Sequence, residues 1–319
     1  MFILYIGNFI SSNGPATVDK SLLNISNEIY PLQISKKILS FNDISNIFKC
    51  DICHISGVSF IGLLIGLICK LLRKKITFTM HGTLKIEKNF RRIRAYRLLI
   101  ELLLTKLSDR IFTVSNNLRE QVSLVYNHAE KKIISIPNGV NLYEIKKTAK
   151  VPGSIVCIGG GRKEKRVLDV CRAVHILNKE GNNITIKVFG EDSLDTNLIK
   201  EYTFVDYYSF VPQEVLLESL ASTQIFVQYS DYEPFSLSIF DAIQLKCNIV
   251  ASNKVGALDY LQKSDLEKIS IASNFEELLD GLRKQLSFID RDYLPYNYLS
   301  WENIFKLYKK EWTKLKKNL

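Results

Sequence analysis

The 319 residues, 46% of them apolar and including 15 Gly and 7 Pro, fit an ordinary soluble globular chain of about two domains. Lys and Arg number 43 against 33 Asp and Glu, a formal charge of +10 that suits anionic partners: phosphates, an acidic membrane surface or nucleic acid. No RNA- or DNA-binding signature accompanies the charge, so nucleic acid is not an expected partner.

The chain opens with an apolar β-type run, Met1–Ile6, closed by Gly7-Asn8, as a first buried parallel strand would be. Ser11-Ser12-Asn13-Gly14-Pro15 is a small-residue loop, and Thr17–Tyr30 reads as a helix. Such a loop lets backbone approach a ligand phosphate, although ordinary turns use the same residues. Ile38–Phe41 and Asp51–Ile55 are expected as short strands, followed by a strongly apolar helix over Val58–Leu72. That helix is too short to span a bilayer and is expected to be buried or to dip into an interface.

Cys50 and Cys53 form a lone C-x-x-C with His54 directly after it. A zinc site would need two more ligands at suitable spacing, and C-x-x-C-H as a haem-attachment pattern is out of place in a strand-like run. With Cys69, Cys157, Cys171 and Cys247, these are expected as buried reduced thiols. The N-terminus lacks a basic segment before its apolar run, so no signal peptide is expected and the cytoplasm is the default location.

Ile76–Met80 is the next strand, with His81-Gly82 at its carboxyl end, where open α/β sheets bind ligands. Thr83–Lys106 reads as a helix with Lys85, Lys88, Arg91, Arg92, Arg94 and Arg97 among apolar residues, suited to an anionic membrane surface or to solvent. Strands at Arg110–Val114 and Ile133–Ile136 follow, and the polar stretch Lys146–Gly153 is the expected linker. A second alternating unit starts at Ser154–Ile158, followed by Gly159-Gly160-Gly161-Arg162-Lys163-Glu164-Lys165 and a helix over Val167–Lys179. Three glycines and three basic residues make a candidate diphosphate cradle built of backbone N–H groups and point charges. It is not a Walker motif. Strands at Ile184–Phe189, Phe204–Phe210 and Ile225–Gln228, with a helix at Gln213–Ala221, complete the alternation. The expected fold is α/β, two Rossmann-like parallel-sheet domains facing across a cleft.

The stretch Tyr229–Leu261 then reads as loop, helix, buried strand and loop. Glu233 precedes Pro234, Ser236 or Ser238 is the expected cap, and Asp241 lies eight positions after Glu233. Two carboxylates at one helix mouth suit a sugar nucleotide, with acids for hydroxyls and amides for phosphate; a solvated loop–helix junction would use the same residues. The tail Trp301–Leu319 is an amphipathic helix with a lysine-rich outer face.

Taken in order, several fragments resemble the retaining GT-B glycosyltransferases of family four (glycosyl transferases group 1). They are the Ser-Asn-Gly-Pro loop (12–15), DICHI (51–55), TMHG (79–82), IFTVSNNL (111–118), IPNGVN (136–141), IGGGRKEK (158–165), VFG (188–190), SDYEPFSLSIFDAI (230–243) and LSWENI (299–304). The resemblance implies that Glu233 lies beside the donor sugar and that Asp241, one methylene shorter than the family's usual Glu, binds ribose hydroxyls. Backbone N–H groups of Phe235, Ser236 and Leu237 would meet the sugar and diphosphate, with Gly160 and Gly161 nearby. Arg162 and Lys165 would neutralise the leaving diphosphate, with Lys163 able to substitute for either. His81 would face the transferred sugar, Gly190 the base, and Asn13 and Gly14 the acceptor side. Lys246 and Gly256-Ala257 stand where the family commonly has glycine.

The implied boundaries are an acceptor domain over 1–148, a nucleotide-sugar domain over 149–298, and a helix over 299–319 packing back on the first domain. The implied reaction is metal-independent transfer of a sugar, with retention, from a nucleoside-diphosphate sugar to a glycan or polyprenyl-linked acceptor. No cofactor is expected. The basic segment Lys85–Arg97, the apolar helix before it and the lysine-rich tail suggest a lipid-linked acceptor at the inner face of the cell membrane, and family analogy adds a role in bacterial surface polysaccharide synthesis. The alternatives are a phosphorylase-like GT-B enzyme and a membrane-surface nucleotide-binding module.

Overall fold

The computed structural model describes residues 1–11, 13–36, 38–143 and 148–317. Ser12 of the first loop, Lys146 and Lys147 of the expected linker, and the last two residues of the tail lie outside them. The chain divides into two compact units, Met1–Gly139 with Tyr298–Leu319, and Val140–Asn297.

In the first unit, strands β1 (Ile3–Gly7), β2 (Ile29–Gln33), β3 (Ile52–Ser56), β4 (Lys75–Met80), β5 (Arg110–Thr113) and β6 (Ile133–Ser135) form one parallel sheet in the order β2-β1-β3-β4-β5-β6. The crossovers are α1 (Gly14–Ile25), α2 (Phe41–Lys49), α3 (Phe60–Leu71), the single turn α4 (Leu84–Glu87), α5 (Ala95–Leu107) and α6 (Asn116–Val125). The inner strands β1, β3, β4 and β5 are largely buried on both faces because helices cover both, and they carry His54, Ser56, Thr77, Thr79 and Thr113 as buried polar positions. The step from β1 to β2 runs opposite to all later steps, so right-handed crossovers place α1 on one face and α2, α3, α5 and α6 on the other.

Three local expectations for this unit are corrected. The helix expected over Thr17–Tyr30 begins at Asn13, whose side chain caps Ala16 N–H at 3.0 Å, and gives way to β2. Pro31 hid that strand, yet β2 is an edge strand, where a missing N–H costs no ladder bond. The strand expected at Ile38–Phe41 is instead the entry to α2, because Ser40 and Asp43 form a reciprocal capping box. The helix expected over Thr83–Lys106 is split into α4 and α5. Buried Glu101 on α5 accepts from Thr83 Oγ1 at 2.6 Å and from Leu84 N–H at 2.7 Å, which requires the two pieces to fold back on each other.

The second unit carries β7 (Val151–Ile158), β8 (Thr185–Phe189), β9 (Val205–Tyr208), β10 (Thr223–Gln228), β11 (Asn248–Ser252) and β12 (Ser270–Ala272) in the parallel order β12-β11-β10-β7-β8-β9. Its helices are α7 (Val167–Lys179), α8 (Thr196–Lys200), α9 (Gln213–Ser222), α10 (Leu237–Gln244), α11 (Lys263–Leu266) and α12 (Phe275–Leu286). Pro152 and Gly153, read from composition as linker, lie within β7. Gly153 has φ +73° and donates to Gln224 Oε1 at 2.6 Å, where the β7–β10 register shifts.

The last helix, α13 (Trp301–Lys317), returns to the first unit and packs on α1. Trp312 Nε1–H donates to Thr77 Oγ1 at 3.2 Å. All six cysteines are free and buried. Among the described residues, no helix is long and apolar enough to cross a membrane.

Candidate functional site

In the second unit, the loop after β7 and the loop before α10 are fastened to each other. Asp231 N–H donates to Glu164 O at 2.8 Å, and the Arg166 guanidinium lies 4.3 Å from the Tyr229 ring centre while pairing with Asp231 at 3.0 Å. Behind this clasp, Lys165 Nζ meets Glu233 Oε2 at 2.6 Å, with only 9% and 16% of the two side chains exposed. The Glu233 carboxylate also faces Gln228 Nε2 at 3.4 Å. On its other side the Glu233 loop is held by Gly256 N–H on Glu233 O at 2.9 Å and Ala257 N–H on Phe235 O at 2.6 Å. The helix-breaking geometry before Pro234 thus becomes a pinned loop whose acid has a fixed cation beside it.

The start of α10 differs from a capped helix. Ser236 adopts φ 82° and ψ 91°, and neither it nor Ser238 supplies the expected side-chain cap; Ser236 Oγ turns to Gln228 Oε1 at 3.4 Å instead. Among the described residues, the N–H groups of Phe235, Ser236 and Leu237 bond no protein acceptor. Three free donors at the positive end of a helix, beside a buried lysine, form an anion-binding arrangement.

Asp241 is the fifth residue of α10, one turn beyond the helix mouth where it was expected. Burial pushes its carboxyl up to about 7, partly offset by a hydrogen bond from the Tyr143 hydroxyl. Tyr143 itself is held by Gln213 Nε2 at 3.1 Å and donates its N–H to Gln244 Oε1 at 3.2 Å. Sequence spacing gave no hint of Tyr143, which lies far from Asp241 in the chain.

The glycine loop does not work as an open amide cradle. Gly159 and Gly160 N–H groups donate to Phe189 O at 2.7 and 3.0 Å, and Gly161 N–H to the Tyr207 hydroxyl at 3.1 Å. These glycines serve close packing. A Cβ on Gly160 would lie 2.3 Å from Glu191 O, and one on Gly190 would lie 2.4 Å from Gly160 N. The charge carriers remain: Arg162 and Lys163 are exposed, with Arg162 Nε on Gly159 O at 3.1 Å, while Lys165 is turned inward to Glu233.

In the first unit, His81 follows β4 and sits at the end of a buried chain of hydrogen bonds. Asp19, 1% exposed, accepts from the Tyr5 hydroxyl at 2.8 Å, Asn8 N–H at 2.7 Å and the Ser56 hydroxyl at 2.6 Å; Ser56 Oγ in turn lies 2.8 Å from His81 Nε2. Because the single Ser56 proton goes to Asp19, Ser56 accepts from His81, whose Nε2 carries the hydrogen. Burial holds the imidazole below its usual pKa, so Nδ1 is a bare acceptor. Asn13 is engaged as the cap of α1, and a Cβ on Gly14 would meet open space.

The comparisons with known proteins converge. The description "Glycosyltransferase Family 4" matches residues 25–144, and "Glycosyl transferases group 1" matches residues 144–288. A protein of Methanocaldococcus jannaschii named as an uncharacterised glycosyltransferase is 27% identical over 237 residues; the match takes in 65% of this chain and 60% of the relative, so the chain spans less than two thirds of that protein's length. Among solved structures, Anabaena HepE in complex with UDP and glucose superposes with TM-score 0.70 at 12% identity, over 98% of this chain and 100% of that one. The lipopolysaccharide outer core galactosyltransferase WaaB gives TM-score 0.70 at 15% identity, over 99% and 100%. The catalytic domain of starch synthase IV from Arabidopsis thaliana, bound to ADP and acarbose, gives 0.72 at 11% identity, over 99% of each chain.

Proposed function

The chain belongs to the family 4 type of glycosyltransferases with the GT-B fold, and from that premise we propose that it transfers a sugar from a nucleoside-diphosphate sugar to an acceptor hydroxyl with retention of configuration. The observation that carries the reading is the uncapped start of α10 beside the Lys165–Glu233 pair. The anomeric C–O bond to diphosphate breaks, the acceptor oxygen forms the new bond, and its proton passes to the departing phosphate. Negative charge grows on phosphate, where free amides and lysine are most effective because they are already oriented. Arg162 completes the charge, with Lys163 as its alternative, and no metal is called for. Glu233 fixes the sugar, Asp241 and Tyr143 meet the ribose hydroxyls, and His81 accepts from a hydroxyl of the transferred sugar through Nδ1. Gly190 borders the base, and Asn13 and Gly14 the acceptor.

The acceptor is a glycan or polyprenyl-linked saccharide at the inner membrane face, in bacterial surface polysaccharide synthesis, a reading supported by the chain's positive charge. The test is release of free nucleoside diphosphate from UDP-, GDP- and dTDP-sugars in the presence of membrane extract, insensitive to chelator, with the product anomer read by NMR. Consumption of inorganic phosphate would identify a phosphorylase instead, and tight nucleotide binding without turnover a binding module.

A further inference from the structure

Three helices of the first unit carry a second apolar stripe that faces solvent. On α2 it includes Phe41 and Phe48, on α3 Phe60 and Leu71, and on α5 Tyr96 and Leu99. These six side chains are 53–85% exposed. The inner stripes of the same helices cover the sheet, α2 packs on α3 and α3 on α5, so the outer stripes form one band. Scattered surface apolar residues need no explanation, but a continuous band across three helices marks a docking surface.

Charge identifies the occupant. Residues 38–107, which contain all three helices, hold twelve Lys and Arg against four Asp and Glu. Of the four, Asp43 and Glu101 are buried, and Glu87 is paired with Arg91. Arg91, Arg92 and Arg94 lie exposed between α4 and α5, and Lys70, Arg73 and Lys106 stand at the ends of α3 and α5. A second copy of this chain would bring the same positive rim against itself. An anionic lipid surface accepts both parts, since acyl chains take the aromatic and aliphatic tips and headgroups take the rim.

We infer that the α2–α3–α5 face seats on an anionic bilayer, and that the lysine-rich outer side of α13 does not. The two cannot share one membrane plane, because α13 packs with α1 on the opposite side of the sheet. This assignment refines the membrane location of the acceptor given above, and it stands or falls separately from sugar transfer.

The experiment is flotation of the full chain with vesicles of phosphatidylcholine, with and without phosphatidylglycerol. Wild type should float with the anionic vesicles only, and less so as salt rises. Phe41→Ser, Phe60→Ser and Leu71→Ser together, all on exposed positions, should lower partitioning about tenfold or more. Arg91→Glu, Arg92→Glu and Arg94→Glu should also lower it, whereas Lys310→Glu with Lys317→Glu on α13 should not. Thermal shift with UDP, GDP and dTDP runs on the same samples: unchanged shifts show that folding and the donor site are intact, and vesicle binding without a shift from any of the three would sink the transferase reading alone. The inference is overturned if the serine variant floats like wild type, if the α13 variant is the one that detaches, or if wild type ignores vesicles and instead forms a dimer that the serine variant dissolves.

Discussion

Lys165 and Glu233 are held 2.6 Å apart with little solvent, so removing one leaves the other buried and unpaired. Lys165→Ala is expected to destabilise the protein by about 2–4 kcal/mol, more than Glu233→Gln, which keeps shape and hydrogen bonding. Urea unfolding of the two variants checks the order, and under the proposed function Glu233→Gln should lose about a hundredfold or more in turnover while remaining folded. Asp241 gives a pH signature. Its folded form holds a proton up to about 7, whereas the unfolded chain releases it near about 4. Its contribution to stability is therefore whole below the unfolded value and is lost as pH climbs through 7. Comparing denaturant unfolding at about pH 5 and about pH 8, Asp241→Asn should remove a decline on the order of 2 kcal/mol. His81 offers a direct test of its hydrogen-bond chain. The protein has 4 histidines, so nitrogen NMR resolves them individually. The Nε2–H form is expected in wild type; Asp19→Asn frees the Ser56 proton and should shift His81 toward the other tautomer, whereas an unchanged spectrum would detach Asp19 from His81.

At the scale of elements, the parallel strands with apolar runs were legible because burial on both faces removes any ambiguity of face. What stayed hidden were elements decided by neighbours. Pro31 spoke against a strand that only an edge position permits, and the break between α4 and α5 follows from a carboxylate on Glu101 reaching back to Leu84. The site divides in the same way. Glu233 and the start of α10 were visible in one loop, but the cation is 68 residues away, and nothing in the sequence marks Asp19 as the acceptor shared by Tyr5, Asn8 and Ser56. Backbone strain marks one more element. Lys246 closes α10 with φ 60°, the left-handed geometry that glycine takes without cost. Lys246→Gly is expected to raise the melting temperature by about 2–4 °C, measured by calorimetry, since the surface pair with Asp292 that it forfeits is exposed and weak.

At the scale of the whole molecule, the chain leaves the first unit at Gly139 and re-enters it at Tyr298, and these points are neighbours: a Cβ on Gly139 would lie 2.3 Å from the Trp301 ring. The second unit is thus an insertion in the first, joined by two covalent strands that emerge side by side. Mechanical load follows from this. Handles on β1 and α13 pull on the first unit alone, and the inserted unit feels no tension until its host has opened. Optical-tweezer extension should show two rips in fixed order, host before insert. Moving the handles to residues 151 and 286 should unfold the insert without touching the sheet that carries His81.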